Sequence, residues 1–172
     1  MHLYLLRHGI ASDLSLSIKR DADRSLTKEG WKKMRDEARG MRKLGIEFDL
    51  IFTSPYLRTR QTAMAVAEVY EFDADSIVSI ESLAAGRPFA HPPYRNPEVF
   101  TDISAYDFQK ALIVGHMPDM SEMTSLLLTG TVTANFEFKK GSLCLIEVDG
   151  LPPRHPGVLR WMLTPKQLIA MA

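Results

Sequence analysis

The sequence predicts an α/β fold, a three-layer αβα sandwich around a mostly parallel central sheet. Two observations carry that prediction. Short apolar runs alternate with longer segments of helical periodicity, the pattern of successive βαβ units. The first three runs, LYLLRH (3–8), DLIFTS (49–54) and ALIVGH (111–116), lack polar alternation, as do strands covered on both faces.

LYLLRH supplies the first strand, and the polar, charged stretch 11–25 after it reads as a loop. Trp31, Met34, Ala38, Met41 and Leu44 then recur at spacings of three and four, which gives a helix one apolar face, with Thr27 as N-cap and Gly45 as stop. DLIFTS is the second strand. Ser54-Pro55 places an N-cap before a proline at the first helical position, opening a helix whose Ala63, Val66, Ala67 and Tyr70 share one stripe. Pro88, Pro92, Pro93 and Pro97 make 86–97 a second loop. ALIVGH is the third strand, and a third helix runs from Pro118-Asp119 to Gly130, burying Met120, Met123 and Leu127. Lys139-Lys140-Gly141 reads as a turn with solvated charges. SLCLIEV (142–148) is the fourth strand, and VLRWML (158–163) is a further one that could close the sheet as an antiparallel edge.

At 172 residues the chain fits one domain, 1–172, able to bury roughly two thirds of its unfolded surface. Apolar residues at 45% and charged residues at 24% exclude a disordered chain. Lys plus Arg and Asp plus Glu both total 21, so no net field draws it to nucleic acid or membrane, and affinity for anions must be local. The single cysteine, Cys144, excludes an internal disulfide. No apolar stretch reaches the ~18 residues of a membrane span, and Arg7 and His8 interrupt the first apolar run before it resembles a signal peptide. A cytoplasmic protein of unknown oligomeric state is expected.

In open α/β sheets ligands bind beyond the carboxyl ends of the strands. There the first strand delivers Arg7-His8-Gly9, the second Ser54-Pro55 and, in the following helical turn, Arg58, and the third Gly115-His116. Each of these fits an ordinary surface or core residue when taken singly. Together they place two arginines and two histidines on one rim. His2, His91 and His155 have no such placement. Arginine pairs with phosphate oxygens through two N–H groups at once, and free amides at the helix opening near Ser54 would add a positive end. Neutral His8 can act as a nucleophile on phosphorus, and side-chain cations can stabilise the transferring group. No paired His, Cys or Asp spacing of the metal-binding kind occurs, so no metal or other cofactor is expected.

R-H-G at 7–9, D-x-x-R-x-L-T-x-x-G at 21–30, S-P-x-x-R-x-x-Q-T at 54–62 and V-G-H-x-P at 114–118 resemble the histidine phosphatase superfamily, also called the phosphoglycerate mutase-like fold. The short length and the ending RWMLTPKQL (160–168) look most like its phosphohistidine phosphatase SixA branch. The resemblance implies that His8 takes the phosphoryl group covalently, that Arg7 and Arg58 clamp its oxygens, that His116 donates a hydrogen bond to them, and that no metal takes part.

Two departures bear on substrate. Where many superfamily members carry a glutamate that protonates an alcohol leaving group, this chain has Ala85, and where the mutases hold an asparagine it has Leu14. An imidazole, with a pKa near 6.5, leaves with less acid help than an alkoxide. Of the nearby carboxylates Asp13, Asp21, Asp23 and Glu81, Asp21 is the candidate proton donor because it belongs to the D-x-x-R-x-L-T match. The expectation is a phosphatase acting on a phosphohistidine-containing protein. The alternatives are a small-molecule phosphomonoesterase or mutase-like enzyme, and a non-catalytic phosphohistidine-binding module.

Overall fold

The computed structural model describes residues 1–73, 76–86 and 98–172. Among these, six strands form one sheet: β1 (His2–Arg7), β2 (Leu50–Thr53), β3 (Ile77–Ser79), β4 (Lys110–Gly115), β5 (Leu143–Glu147) and β6 (Val158–Leu163), in the order β3-β2-β4-β1-β5-β6. The first four are mutually parallel, with Leu6 beside Val114 and Thr53 beside both Val114 and Ser79. β5 runs antiparallel to β1 and to β6. The sheet is thus mostly parallel, and β6 does close one edge in an antiparallel pairing.

Among the described residues five helices cover the sheet: α1 (Lys28–Lys43), α2 (Leu57–Tyr70), α3 (Glu98–Ser104), α4 (Asp119–Thr129) and α5 (Pro165–Ala170). Alternate residues of β1 face opposite layers, as pleating requires. Tyr4 and Leu6 pack with Met34, Ala38 and Met41 of α1, Ala63 and Val66 of α2, and Leu168 of α5. Leu3 and Leu5 pack with Val99, Phe100 and Ile103 of α3 and Met120, Met123 and Leu127 of α4. Each fully buried Leu or Met contributes roughly 1.5–3 kcal/mol relative to an exposed one, so these two layers supply most of the stabilisation that fixes the sheet.

Local chemistry sets the helix ends. The Thr27 hydroxyl accepts from the Gly30 amide at 2.9 Å, as its N-cap reading anticipates, and Gly45, at φ 69°, follows the end of α1. Leu44 falls outside the helix and is largely exposed, so it does not join the apolar face. α2 starts at Leu57 with Tyr56 as N-cap, later than Ser54-Pro55 suggests, because the Ser54 amide is already bonded to the Val114 carbonyl at 3.1 Å as part of the sheet. α4 runs to Gly130 (φ 73°) with Met120, Met123 and Leu127 fully buried, as its pattern predicts. The loop 11–25 contains one 3-10 turn, Asp21–Asp23. The proline-rich stretch 86–97 lies, apart from Gly86, outside the described residues.

A candidate active site

β1 and β4 are neighbours, yet the chain leaves β1 toward α1 on one face and leaves β4 toward α4 on the other. Their diverging exits open a crevice at the carboxyl edge of the sheet, where such folds bind ligands. His8 and His116 stand in it with ring centroids 5.3 Å apart, and both are buried. The His8 amide donates to the Gly115 carbonyl at 3.0 Å, tying the two strand ends together.

The His8 ring has a defined hydrogen-bond state. Its Nδ1 lies 2.7 Å from the Gly9 carbonyl, which can only accept, so Nδ1 carries the proton. Nε2 is left with its lone pair and accepts from Arg58 Nε at 3.3 Å. Burial pushes the ring down to about 4, with the Gly9 hydrogen bond opposing the shift and the charges of Arg58, Arg7 and Lys140 adding to it. The imidazole is therefore neutral at neutral pH.

Arg58 is 4% exposed and anchored by Asp21, whose carbonyl accepts from Nη1 at 2.7 Å and whose Oδ2 accepts from Nη2 at 2.8 Å. Arg24 donates to the other Asp21 oxygen at 2.8 Å. Partial burial acts to raise the Asp21 carboxyl, but hydrogen bonds and charge from Arg24 and Arg58 outweigh it and hold the group below its ordinary value. Asp21 is consequently ionised at neutral pH and has no proton to give. Its carbonyl and carboxylate together hold Arg58 in place.

Arg7 donates through Nη1 to the Phe138 carbonyl at 2.5 Å, while its Nε is buried without a hydrogen-bond partner among the described residues. Burial and the charge of Arg58 lower its pKa, the mark of two guanidiniums crowded together. His116 pairs Nε2 with Ser54 Oγ at 2.8 Å, and its Nδ1 is likewise buried and without a partner among the described residues. Burial first, then the charges of Arg58 and His8, push this ring down to about 3. Two unpartnered buried donors or acceptors beside two close cations form a cluster that an anion would complete.

Several contributors escape a reading of the motifs alone. Tyr56 lays its ring edge-on to His116 at 5.1 Å and beneath the Arg58 guanidinium, also at 5.1 Å, and its hydroxyl donates to the Ala85 carbonyl at 3.4 Å. Ala85 thus borders the site through its backbone. Thr62 accepts from the Gly9 amide at 3.1 Å and donates to the Arg58 carbonyl at 2.7 Å, and Gln61 accepts from the Leu26 amide at 2.6 Å. These two close the S-P-x-x-R-x-x-Q-T stretch, and their work is to lash α2 to the chain that leaves β1. Gly9 itself faces Met34, whose Cγ lies 2.7 Å from where a Cβ would stand, so packing against α1 demands the glycine. Asp13 is 99% exposed as a side chain, Leu14 and Glu81 are exposed, and Asp23 pairs with Arg20, so none of them completes the cluster. Among the described residues no three His, Cys, Asp or Glu side chains group as metal ligands would.

Comparison with known proteins shows the family of this chain. The family model of the histidine phosphatase superfamily (branch 1) matches residues 3–84, which contain His8, Asp21 and Arg58. An uncharacterised protein of Picosynechococcus sp. is 31% identical over 147 residues, covering 83% of this chain and 82% of that protein. The structure of the protein histidine phosphatase SixA complexed with tungstate superimposes with a TM-score of 0.81 over 98% of this chain and 99% of that one, at 20% identity. The α-ribazole phosphatase of Shigella flexneri gives 0.67 over 96% and 97%, at 17% identity. At these identities the structural likeness is one of fold, while the sequence matches carry the kinship, and the chain belongs to the histidine phosphatase superfamily.

Proposed function

We propose that the protein is a phosphatase that works through a phosphorylated His8 and removes the phosphoryl group from phosphohistidine on another protein. The observation that carries this reading is the Nδ1-protonated His8, with its Nε2 lone pair facing Arg58. Nε2 attacks phosphorus in line, the bond to the leaving group breaks, and the charge on the equatorial oxygens is met by Arg7, Arg58 and the His116 nitrogen not engaged by Ser54. Water then attacks phospho-His8, releasing inorganic phosphate and restoring Nε2. The positive charge comes from these side chains, and no metal is needed in the scheme.

The choice of phosphohistidine rests on leaving-group chemistry. Asp21 is ionised and the Ala85 segment offers a carbonyl rather than a carboxyl, so neither of these supplies a proton to an alkoxide. A phosphohistidine ring protonated on its distal nitrogen leaves as neutral imidazole and needs no such help. The SixA likeness supports the same reading. A cytoplasmic location accords with the free Cys144, and among the described residues no helix is long and apolar enough to cross a membrane.

The direct test is to quench the enzyme during turnover of a radiolabelled phosphohistidine protein. Label that is stable to alkali, labile to acid and absent from His8→Ala is expected. Turnover retained by His8→Ala, or abolished by EDTA, would overturn the scheme.

A further inference from the structure

Beside the site, on the same edge of the sheet, lies a recess of about 470 Å³ lined by Lys33, Lys139, Thr164, Pro165, Lys166 and Ile169. The topology puts it there. β5 begins at Leu143, opposite Leu6 of β1 and Leu163 of β6, so the turn before β5 and the residues after β6 both emerge where His8 does. That turn is continuous with the site: the Gly141 amide donates to the Arg7 carbonyl, the Arg7 amide donates to the Ser142 carbonyl, and Phe138 accepts from the Arg7 side chain.

The lysines are poorly neutralised. Lys33 reaches Glu29 at 2.6 Å, but among the described residues no carboxylate lies within 4.0 Å of Lys139, Lys140 or Lys166. Many other surface cations are paired, including Lys32 with Asp36, Arg35 with Glu68 and Arg160 with Glu147. The buried carboxyl closest to the turn, Glu37, is raised to about 8 by burial, so at neutral pH it adds no compensating charge. In a chain of zero net charge, this is a local excess of cations at the mouth of the site.

We propose that this recess receives the acidic side chains of the protein that presents the phosphoryl group. The inference rests on the protein-phosphohistidine reading above and adds a partner chemistry to it: a phosphohistidine flanked within reach by aspartate or glutamate. Pairs of this exposed kind act mainly on encounter and register, and they weaken with salt.

The test uses two synthetic peptides phosphorylated on one histidine with potassium phosphoramidate, identical except for flanks of six residues that are Asp/Glu-rich in one and Ser/Asn-rich in the other. Such flanks span up to ~20 Å when extended. Wild type should hydrolyse the acidic peptide with a kcat/KM roughly tenfold higher at low ionic strength, a ratio that shrinks with added salt. Lys139→Glu with Lys166→Glu should abolish or invert the ratio while leaving p-nitrophenyl phosphate turnover unchanged, which also shows that the variant folds. Equal kcat/KM for both peptides in wild type, or a ratio preserved in the variant, overturns the proposal. If neither peptide is hydrolysed while p-nitrophenyl phosphate is, the phosphohistidine reading fails separately. The same flanks on phosphoserine then decide: an acidic preference lost in the variant sustains the recess as a docking site, and no preference removes it.

Discussion

Asp21 grips Arg58 at two points, with its backbone carbonyl on Nη1 and its carboxylate on Nη2, and so leaves Nε directed at His8 Nε2. The loop 11–25, polar and nearly without regular structure, thereby fixes the orientation of a buried guanidinium carried by α2. A single hydrogen bond would leave the planar group free to swing about it, whereas two define its plane.

Asp21→Ala is therefore expected to lower kcat/KM about tenfold to a hundredfold, the scale on which misplacing one preorganised charge partner acts. Asp21→Asn, which keeps the backbone contact and one acceptor, should lose less. The loss should be the same for p-nitrophenyl phosphate and for alkyl phosphates. A loss confined to substrates with poor leaving groups would show that Asp21 donates a proton after all, since a good leaving group needs none.

Thr62→Val keeps the shape of the side chain but removes the acceptor for the buried Gly9 amide. Leaving that donor unpaired should cost about 1–3 kcal/mol of stability, read as a shift of the denaturation midpoint. Because the same hydroxyl joins Gly9 to the turn carrying Arg58, kcat should fall as well. Wild-type stability in this variant would mean that the Gly9 amide finds another partner.

The pH dependence follows from burial of the two rings. Above about 6.5 the folded and unfolded chains both hold them neutral, and the two rings add no pH dependence to stability. As pH falls from 6.5 toward the folded values of about 4 for His8 and about 3 for His116, the unfolded chain takes up protons that the folded chain refuses, so stability declines. For His8 alone the decline amounts to roughly 3 kcal/mol by pH 4. Histidine ring resonances followed by NMR should show both rings neutral through pH 5.5, and His8→Asn should flatten the acid side of the stability profile. A His8 ring that titrates near 6.5 would refute the account of its burial.

How much of this was readable beforehand depended on how local the signal was. The Thr27 cap, the apolar stripe of α1 and the Gly130 stop are encoded within a turn or two, and they appear where the periodicity puts them. β3 is only three residues long and partly exposed, so no apolar run announces it, and its place in the sheet comes from pairing with β2. The antiparallel sense of β5 is fixed by its neighbours and leaves no trace in SLCLIEV. α5, by contrast, carries a local signal, a capping box between Thr164 and Gln167 with Pro165 in the first turn. In the site, spacing identified the strand-end residues, but not that Ser54 would face His116 or that Asp21 would meet Arg58, because those contacts join segments far apart in the chain.

Gly30 provides a test of how tightly α1 is set against the chain leaving β1. A Cβ there would stand 2.1 Å from the Ile10 carbonyl oxygen, backbone that already accepts from the Thr27 amide at 3.0 Å. Gly30→Ala should destabilise by roughly 1–3 kcal/mol despite alanine's better helix propensity, since neither the helix nor the carbonyl can yield without moving the other. A stabilised variant would mean that the first turn of α1 is free to shift.

Glu37 is a buried carboxyl of α1 set against the turn before β5. It is 2% exposed, its Oε2 has no hydrogen-bond partner among the described residues, and it lies so close to Gly141 that a Cβ there would meet Oε2 at 2.3 Å. Burial raises it to about 8 against an ordinary value of 4.5, with the charge of Lys33 opposing the shift. Between pH 4.5 and about 8 the folded chain therefore retains a proton that the unfolded chain has released, and stability must fall as pH rises through that window. Glu37→Gln preserves the shape and removes the titration. It should match wild type near pH 5 and exceed it by on the order of 3 kcal/mol at pH 7, measured by denaturant unfolding at both values. Because the Gly141 amide donates to the Arg7 carbonyl, an ionised Glu37 would place negative charge beneath the turn that fixes Arg7, and the glutamine variant should also hold its activity further into alkali. An equal loss of stability at pH 5 and pH 7 would instead show that the carboxylate is ionised and held by a partner.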